Sequence, residues 1–152
     1  FKKTTQVTRD RIGEGPWYNA KGVRIAANLA ELHGDTVELA RKGNFLNINT
    51  VLTEKGDRNP GEVKIVDLDG RNQHDVLTGT RADGTAFTDT FDRTCRNWTS
   101  DREDGSANLG HHDRVTSFTS MSWNDAHPSR GCSQDNLIAT GGAGQFYCFA
   151  AD

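Results

Sequence analysis

Apolar positions along this chain are sparse, and their rhythm changes several times. Across residues 17 to 33, "WYNAKGVRIAANLAELH", Val23, Ala26, Leu29, Ala30 and His33 fall near helical spacing and Gly34 supplies a stop, so the stretch predicts a short helix. Residues 45 to 53, "FLNINTVLT", set Leu46, Ile48, Thr50 and Leu52 against Phe45, Asn47, Asn49 and Val51, which is the period of a strand. "EVKIVDL" alternates Val63, Ile65 and Leu68 less cleanly, and the "EKGDRNPG" between the two runs reads as a loop. Residues 69 to 94 and 99 to 122 are then dominated by Gly, Asp, Ser, Thr, Asn and Arg, predicting long ordered loops held by hydrogen bonds. The closing "GQFYCFAAD" turns apolar and aromatic again and predicts a buried final strand. There is no internal repeat.

A length of 152 residues with 34% hydrophobic content fits one domain, and no apolar run approaches the ~20 residues of a membrane span. The net charge of -3, with Lys and Arg scattered, argues against nucleic acid as a partner. Sixteen glycines point to turns and loops rather than a helical bundle. Phe1-Lys2-Lys3-Thr4-Thr5 has no leader pattern and is read as an end from which any export signal has been removed. Cys95, Cys132 and Cys148 match no metal knuckle and suit disulfides, with one thiol left over.

Several motifs follow one another in order: "RIGEGPWYNAKG", "HDVLTGT", "DGTAF", "TCRNWTS", "GHHDR", "SWNDAHPSRGCS" and "TGGAGQFYCFA". In these the chain resembles a family of exported bacterial lectin-like domains and, more distantly, the endostatin and C-type lectin-like fold. The resemblance implies one α+β domain over residues 1–152, loop-rich, mainly antiparallel, with one or two short helices. It also implies two nested disulfides, the first cysteine joined to the fourth and the second to the third. Cys95, Cys132 and Cys148 match the last three, so Cys95–Cys132 is expected and the partner of Cys148 is expected outside this chain. Family members usually begin with a further strand and a cysteine-bearing helix that are not found here. The last strand is therefore expected to present an edge that another segment or subunit fills.

Trp123-Asn124-Asp125 is a triplet that C-type lectins use at a calcium and sugar site, and Asp101 and Asp104 in "SDREDGSAN" could add carboxylates. The companion Glu-Pro-Asn or Gln-Pro-Asp loop is missing, so a capped turn is the preferred reading and calcium the alternative. "DLDGRNQHD" is read as a turn between strands, because its glycine is misplaced for an EF-hand. His111, His112, Asp113 and Arg114, with His127 drawn close by the expected disulfide, offer imidazoles and a carboxylate that could bind zinc. Adjacent histidines on extended backbone face opposite ways, so at most one of His111 and His112 serves a given site, and bracing hydrogen bonds are preferred. Trp98 and Trp123 could stack on a sugar, although a core role is favoured beside a disulfide. The Asn97-Trp98-Thr99 sequon is expected to be unmodified.

No nucleophile elbow, zinc-protease helix or phosphate loop is present, so no enzyme is expected. The expectation is a non-catalytic binding module, secreted or at a bacterial cell surface, for a carbohydrate or matrix ligand. Its binding residues would come from Trp98, His111, His112, Asp113, Arg114, Asn124, Asp125 and His127. A self-assembling structural subunit, completed through the Cys148 strand, is the alternative.

Overall fold

The computed structural model describes residues 8–34, 44–61, 72–114 and 122–150, and these form an α+β fold of short elements and long connections. None of the helices among them is long and apolar enough to cross a membrane.

Residues 17 to 33 divide where one helix was expected. β1 (Trp17–Tyr18) and β2 (Arg24–Ala26) make a small antiparallel pair, and only α1 (Leu29–His33) is helical. The cause is local, since Asn19 Oδ1 accepts the backbone N–H groups of both Lys21 and Val23, at 3.0 Å each. That turn takes donors a helix would need. Asn28 then opens α1 by accepting from the Glu31 N–H at 2.9 Å, while the Glu31 carboxylate takes the Ala27 N–H at 2.8 Å. Gly34 closes it at φ 68°.

Residues 45 to 53 form turns instead of the expected strand. Asn47 accepts the Asn49 N–H, the Thr50 hydroxyl accepts the Asn47 N–H and donates to the Phe45 carbonyl, and only Leu52 pairs in a bridge, with Arg58. Polar side chains bonded to their own backbone defeated the alternation. The strand expected at "EVKIVDL" lies outside the described residues.

The main sheet runs in the order β5 (His127–Pro128), β4 (Asn108–His111), β3 (Asp75–Leu77), β6 (Gly142–Phe146). Its pairs are antiparallel except β3 with β6, which is parallel, so the sheet is mixed. β3 and β4 come from stretches expected to be loops. β6 covers only the start of the expected closing strand, and as the outermost strand among the described residues, with Gly144 at φ 75°, it leaves Phe146 and Cys148 exposed instead of buried. Between β5 and β6 lies α3 (Gln134–Thr140), begun by Ser133, whose hydroxyl accepts the Asn136 N–H, and ended by Gly141. All its signals stand in "CSQDNLIATGG".

Strand alternation sorts the side chains onto two faces. Asp75 pairs with His111, Leu77 with Leu109 and Leu109 with His127, so these five share one face, and Val76 and Gly110 share the other. On the first face Leu77 and Leu109 join Ala107, Leu137 and the Cys95–Cys132 disulfide in an apolar cluster. Separately, Trp123 packs with Ile12, Ile25, Leu32, Leu46 and Val51 in the larger core, its indole N–H donating to the Leu32 carbonyl at 2.8 Å. The disulfide joins residues 37 apart in sequence, a constraint on the unfolded chain worth about 4 kcal/mol in the loop-entropy picture.

The segment carrying Trp123 lies directly against β4. Ser122 accepts the His111 N–H at 3.0 Å, Ala126 donates to the Leu109 carbonyl at 2.7 Å, and a Cβ at Gly110 would overlap the Trp123 carbonyl and the Asn124 nitrogen. Gly110→Ala should therefore lower the unfolding free energy by about 3 kcal/mol in a denaturant titration, because backbone cannot give way as a side chain can. Gly22→Ala, whose Cβ would enter open space, should cost only the ~1 kcal/mol of a left-handed residue.

Candidate functional site

Four successive residues, Cys95 to Trp98, hold φ angles of 47°, 57°, 59° and 62°, making a left-handed helical turn, α2 (Cys95–Trp98). For L-residues other than glycine each such angle costs about 1–2 kcal/mol, so the surroundings must enforce it. They do so from several directions. Asp92 accepts the Thr94 N–H at 3.0 Å and the Arg96 N–H at 2.7 Å, Thr94 Oγ1 accepts the Asn97 N–H at 3.1 Å, and Cys95 is fixed by the disulfide. The outcome is Trp98 held 40% exposed, its ring edge-on to Phe146 at 5.2 Å, and Phe146 itself 54% exposed. Gly79 makes room, since a Cβ there would come within 2.8 Å of the indole.

Phe146 borders two openings. A cleft of about 130 Å³ is lined by Thr78, Trp98, Phe146 and Tyr147 among others, and a groove of about 860 Å³ runs past Trp17, Tyr18, Asn19, Asn59 and Gln145. Trp123 lines the floor of the smaller cleft but is a buried core residue, only 5% exposed.

Asn124 and Asp125 are engaged internally. Asn124 is buried, its amide donating to the Arg81 carbonyl at 2.9 Å and its Oδ1 accepting from the Ser122 hydroxyl at 3.0 Å. Asp125 accepts the Ala82 N–H at 2.9 Å on one oxygen and the Asn108 amide at 2.9 Å on the other. Together they lock the chain at residues 80 to 82 onto β4. Asp101 and Asp104 are exposed, with Asp104 paired to Arg102 at 2.9 Å and to Arg96 at 3.3 Å. Exposed pairs of this kind add little to stability.

The densest titratable cluster stands where β3, β4 and β5 meet. Asp75, 2% exposed, directs Oδ1 toward His111 Nε2 at 3.2 Å, His74 Nε2 at 3.3 Å and His127 Nε2 at 3.5 Å. His111 Nε2 and His127 Nε2 are 2.9 Å apart, and the His74 and His111 rings stack at 4.1 Å. Ladder register explains the meeting, because Asp75 and His111 are direct partners and His127 lies opposite Leu109 on the same face. Burial pushes the Asp75 carboxyl toward its neutral form, but the adjoining His111 and His127 nitrogens and the charges on His127 and His74 outweigh this and leave its pKa below the ordinary carboxylate value. The same contact with Asp75 raises the pKa of His127. Next to the cluster Asp113 Oδ1 stands 3.6 Å from His74 Nδ1, and Gly141 and Gly142 pack against Asp75.

Of the residues singled out in sequence, the fold brings His111 and His127 together and places Asp113 beside them. His112, just past the end of β4, points away and meets the Pro60 carbonyl at 2.8 Å, its pKa lowered by burial. Arg114 also leaves the cluster, donating to Asn44 Oδ1 at 2.9 Å. His74 and Asp75 were missed as ligands because they stood in a stretch read as a turn. Their signal was "HDVL", a short apolar run behind two ligand-type residues. Comparisons with models of protein families, with curated proteins and with solved structures find no match to this chain.

If Asp125 braces the turn, Asp125→Asn should lower the unfolding free energy by about 1–2 kcal/mol, since an amide group would then face an N–H donor. The loss should be the same in calcium and in EDTA. Parallel thermal melts in the two buffers would check this.

Proposed function

We propose that this chain is an extracytoplasmic, non-catalytic binding module of the C-type-lectin-like class whose ligand is a carbohydrate. The observation that carries the reading is Trp98. A turn costing several kcal/mol of backbone strain, braced by Asp92, Thr94 and the disulfide, serves to hold an indole half in water. A pure packing role would not need the strain, as a buried tryptophan could be reached from ordinary backbone. An exposed indole suits the C–H face of a pyranose, and Phe146 extends the apolar surface toward the groove with its Asn19, Asn59 and Gln145 amides. Asn59 and Gln145 already form a reciprocal amide pair at 2.8 and 2.9 Å, a planar polar wall rather than two loose side chains.

The C-type-lectin-like assignment rests on the motif resemblance together with the Cys95–Cys132 disulfide and the loop-rich α+β architecture. The disulfide also suits an oxidising compartment. Calcium at Asn124 and Asp125 is not part of the reading, because both carboxylate oxygens of Asp125 already accept hydrogen bonds. A second reading, a structural subunit that assembles through its sheet edge, draws on β6 being outermost among the described strands with Cys148 exposed just past it.

On a glycan array the protein should retain selected oligosaccharides with and without EDTA. Trp98→Ala should weaken that retention at least tenfold, about 1.4 kcal/mol, with little change in melting temperature. Absence of any glycan signal, or retention unaffected by Trp98→Ala, would sink the reading. Disulfide-linked oligomers that vanish in Cys148→Ser would instead favour the structural subunit.

A further inference from the structure

Outside the proposed sugar surface, one group of side chains is arranged for a task that the fold itself does not explain. Asp75 is almost wholly buried, yet neither of its carboxylate oxygens has a partner in hydrogen-bond geometry. Desolvating a carboxylate is costly unless something of opposite charge meets it. What does meet it is a set of imidazole nitrogens, all presenting Nε2.

We propose that His74, His111 and His127, through Nε2, and Asp75, through Oδ1, bind one divalent transition-metal ion of the zinc type. The edges of the triangle formed by His111 Nε2, His127 Nε2 and Asp75 Oδ1 are 2.9, 3.2 and 3.5 Å, and His74 Nε2 lies 3.3 Å from the Asp75 apex. In a tetrahedral zinc site with bonds of about 2.0–2.1 Å, the donor atoms stand about 3.3 Å apart. The three donors of the triangle are thus already at ligand spacing, and His74 Nε2 stands at that spacing from Asp75 Oδ1.

The donor chemistry selects the ion. Three imidazoles and one carboxylate suit zinc or its neighbours in the first transition row, whereas calcium demands an all-oxygen shell. The tautomer of His127 is set as well. His127 Nδ1 lies 3.2 Å from the Pro128 carbonyl, which needs a proton on that nitrogen and leaves the Nε2 lone pair facing inward. Asp113, 3.6 Å from His74 Nδ1, sits where a carboxylate orients a metal-bound histidine. Closing the shell requires the stacked His74 and His111 rings, inclined at 17°, to splay so that His74 Nε2 turns toward the triangle.

With four protein ligands the site is closed and its role is to clip strands together, not to activate water. It ties the edge strand β5 to β4 and β3. His127, with its side chain 35% exposed, is the ligand through which an ion enters.

Uptake by the folded chain, in a Cys148→Ser background so that no free thiol competes, is the test. Dialysed against micromolar zinc and analysed for metal, the protein should hold one equivalent and melt at a higher temperature than the chelator-treated form. Cobalt in place of zinc should give the intense visible bands of a tetrahedral ion. His127→Ala, at a partly exposed position, should fold as judged by circular dichroism and lose more than about tenfold in zinc affinity. Asp75→Asn should abolish the cobalt bands. Calcium should neither bind there nor compete. Less than half an equivalent of zinc in the folded protein, or tight binding that His127→Ala leaves untouched, would overturn the proposal, and neither result involves a glycan.

Discussion

The approach of the chain at Trp123 and Asn124 to the middle of β4 is the contact on which the arrangement depends. Two backbones meet there with nothing between them, which is possible because position 110 has no side chain. From that meeting the indole of Trp123 enters the larger core, where Tyr147 donates to its carbonyl at 3.2 Å and His33 packs at 5.4 Å. The same contact fixes where the chain goes next, and so brings His127 alongside His111. Core packing and the histidine cluster are consequences of one steric permission.

Two costly features sit on the face that α3 covers, and each is balanced differently. The left-handed turn concentrates backbone strain, which a covalent bond and a capping carboxylate oppose. The Asp75 cluster concentrates desolvated charge, which neighbouring imidazoles oppose. Between them Leu77, Leu109 and Leu137 supply an apolar layer that needs no such balance. Alternating cost and compensation along one sheet face makes the loop-rich half of this chain a defined structure despite its polar composition.

Some of this was legible in the sequence. The disulfide followed from the motif resemblance, the opposed directions of His111 and His112 followed from strand geometry, and Gly34 was the right stop for α1. Residues 17 to 28 and 45 to 53 misled because Asn19, Asn47 and Thr50 bond to nearby backbone, and a pattern of apolar positions does not register competition from side chains. β3 and β4 went unseen because each is three or four residues long and carries ligand-type side chains where apolar ones are expected. Membership of His74 and Asp75 in the cluster is a matter of register between strands more than thirty residues apart, which no local pattern encodes.

The parallel pairing of β3 with β6 bears on how the chain reaches this state. β3 is one of the two inner strands, and one of its two neighbours is the last strand of the described chain, separated from it by more than sixty residues and placed beyond the disulfide loop. Contacts of such sequence separation form late, because the intervening chain must be ordered before the pairing repays its entropy. During synthesis the sheet therefore has no complete template until its final strand has left the ribosome. A sheet built this way is completed only by a contact made across the whole disulfide-bearing segment.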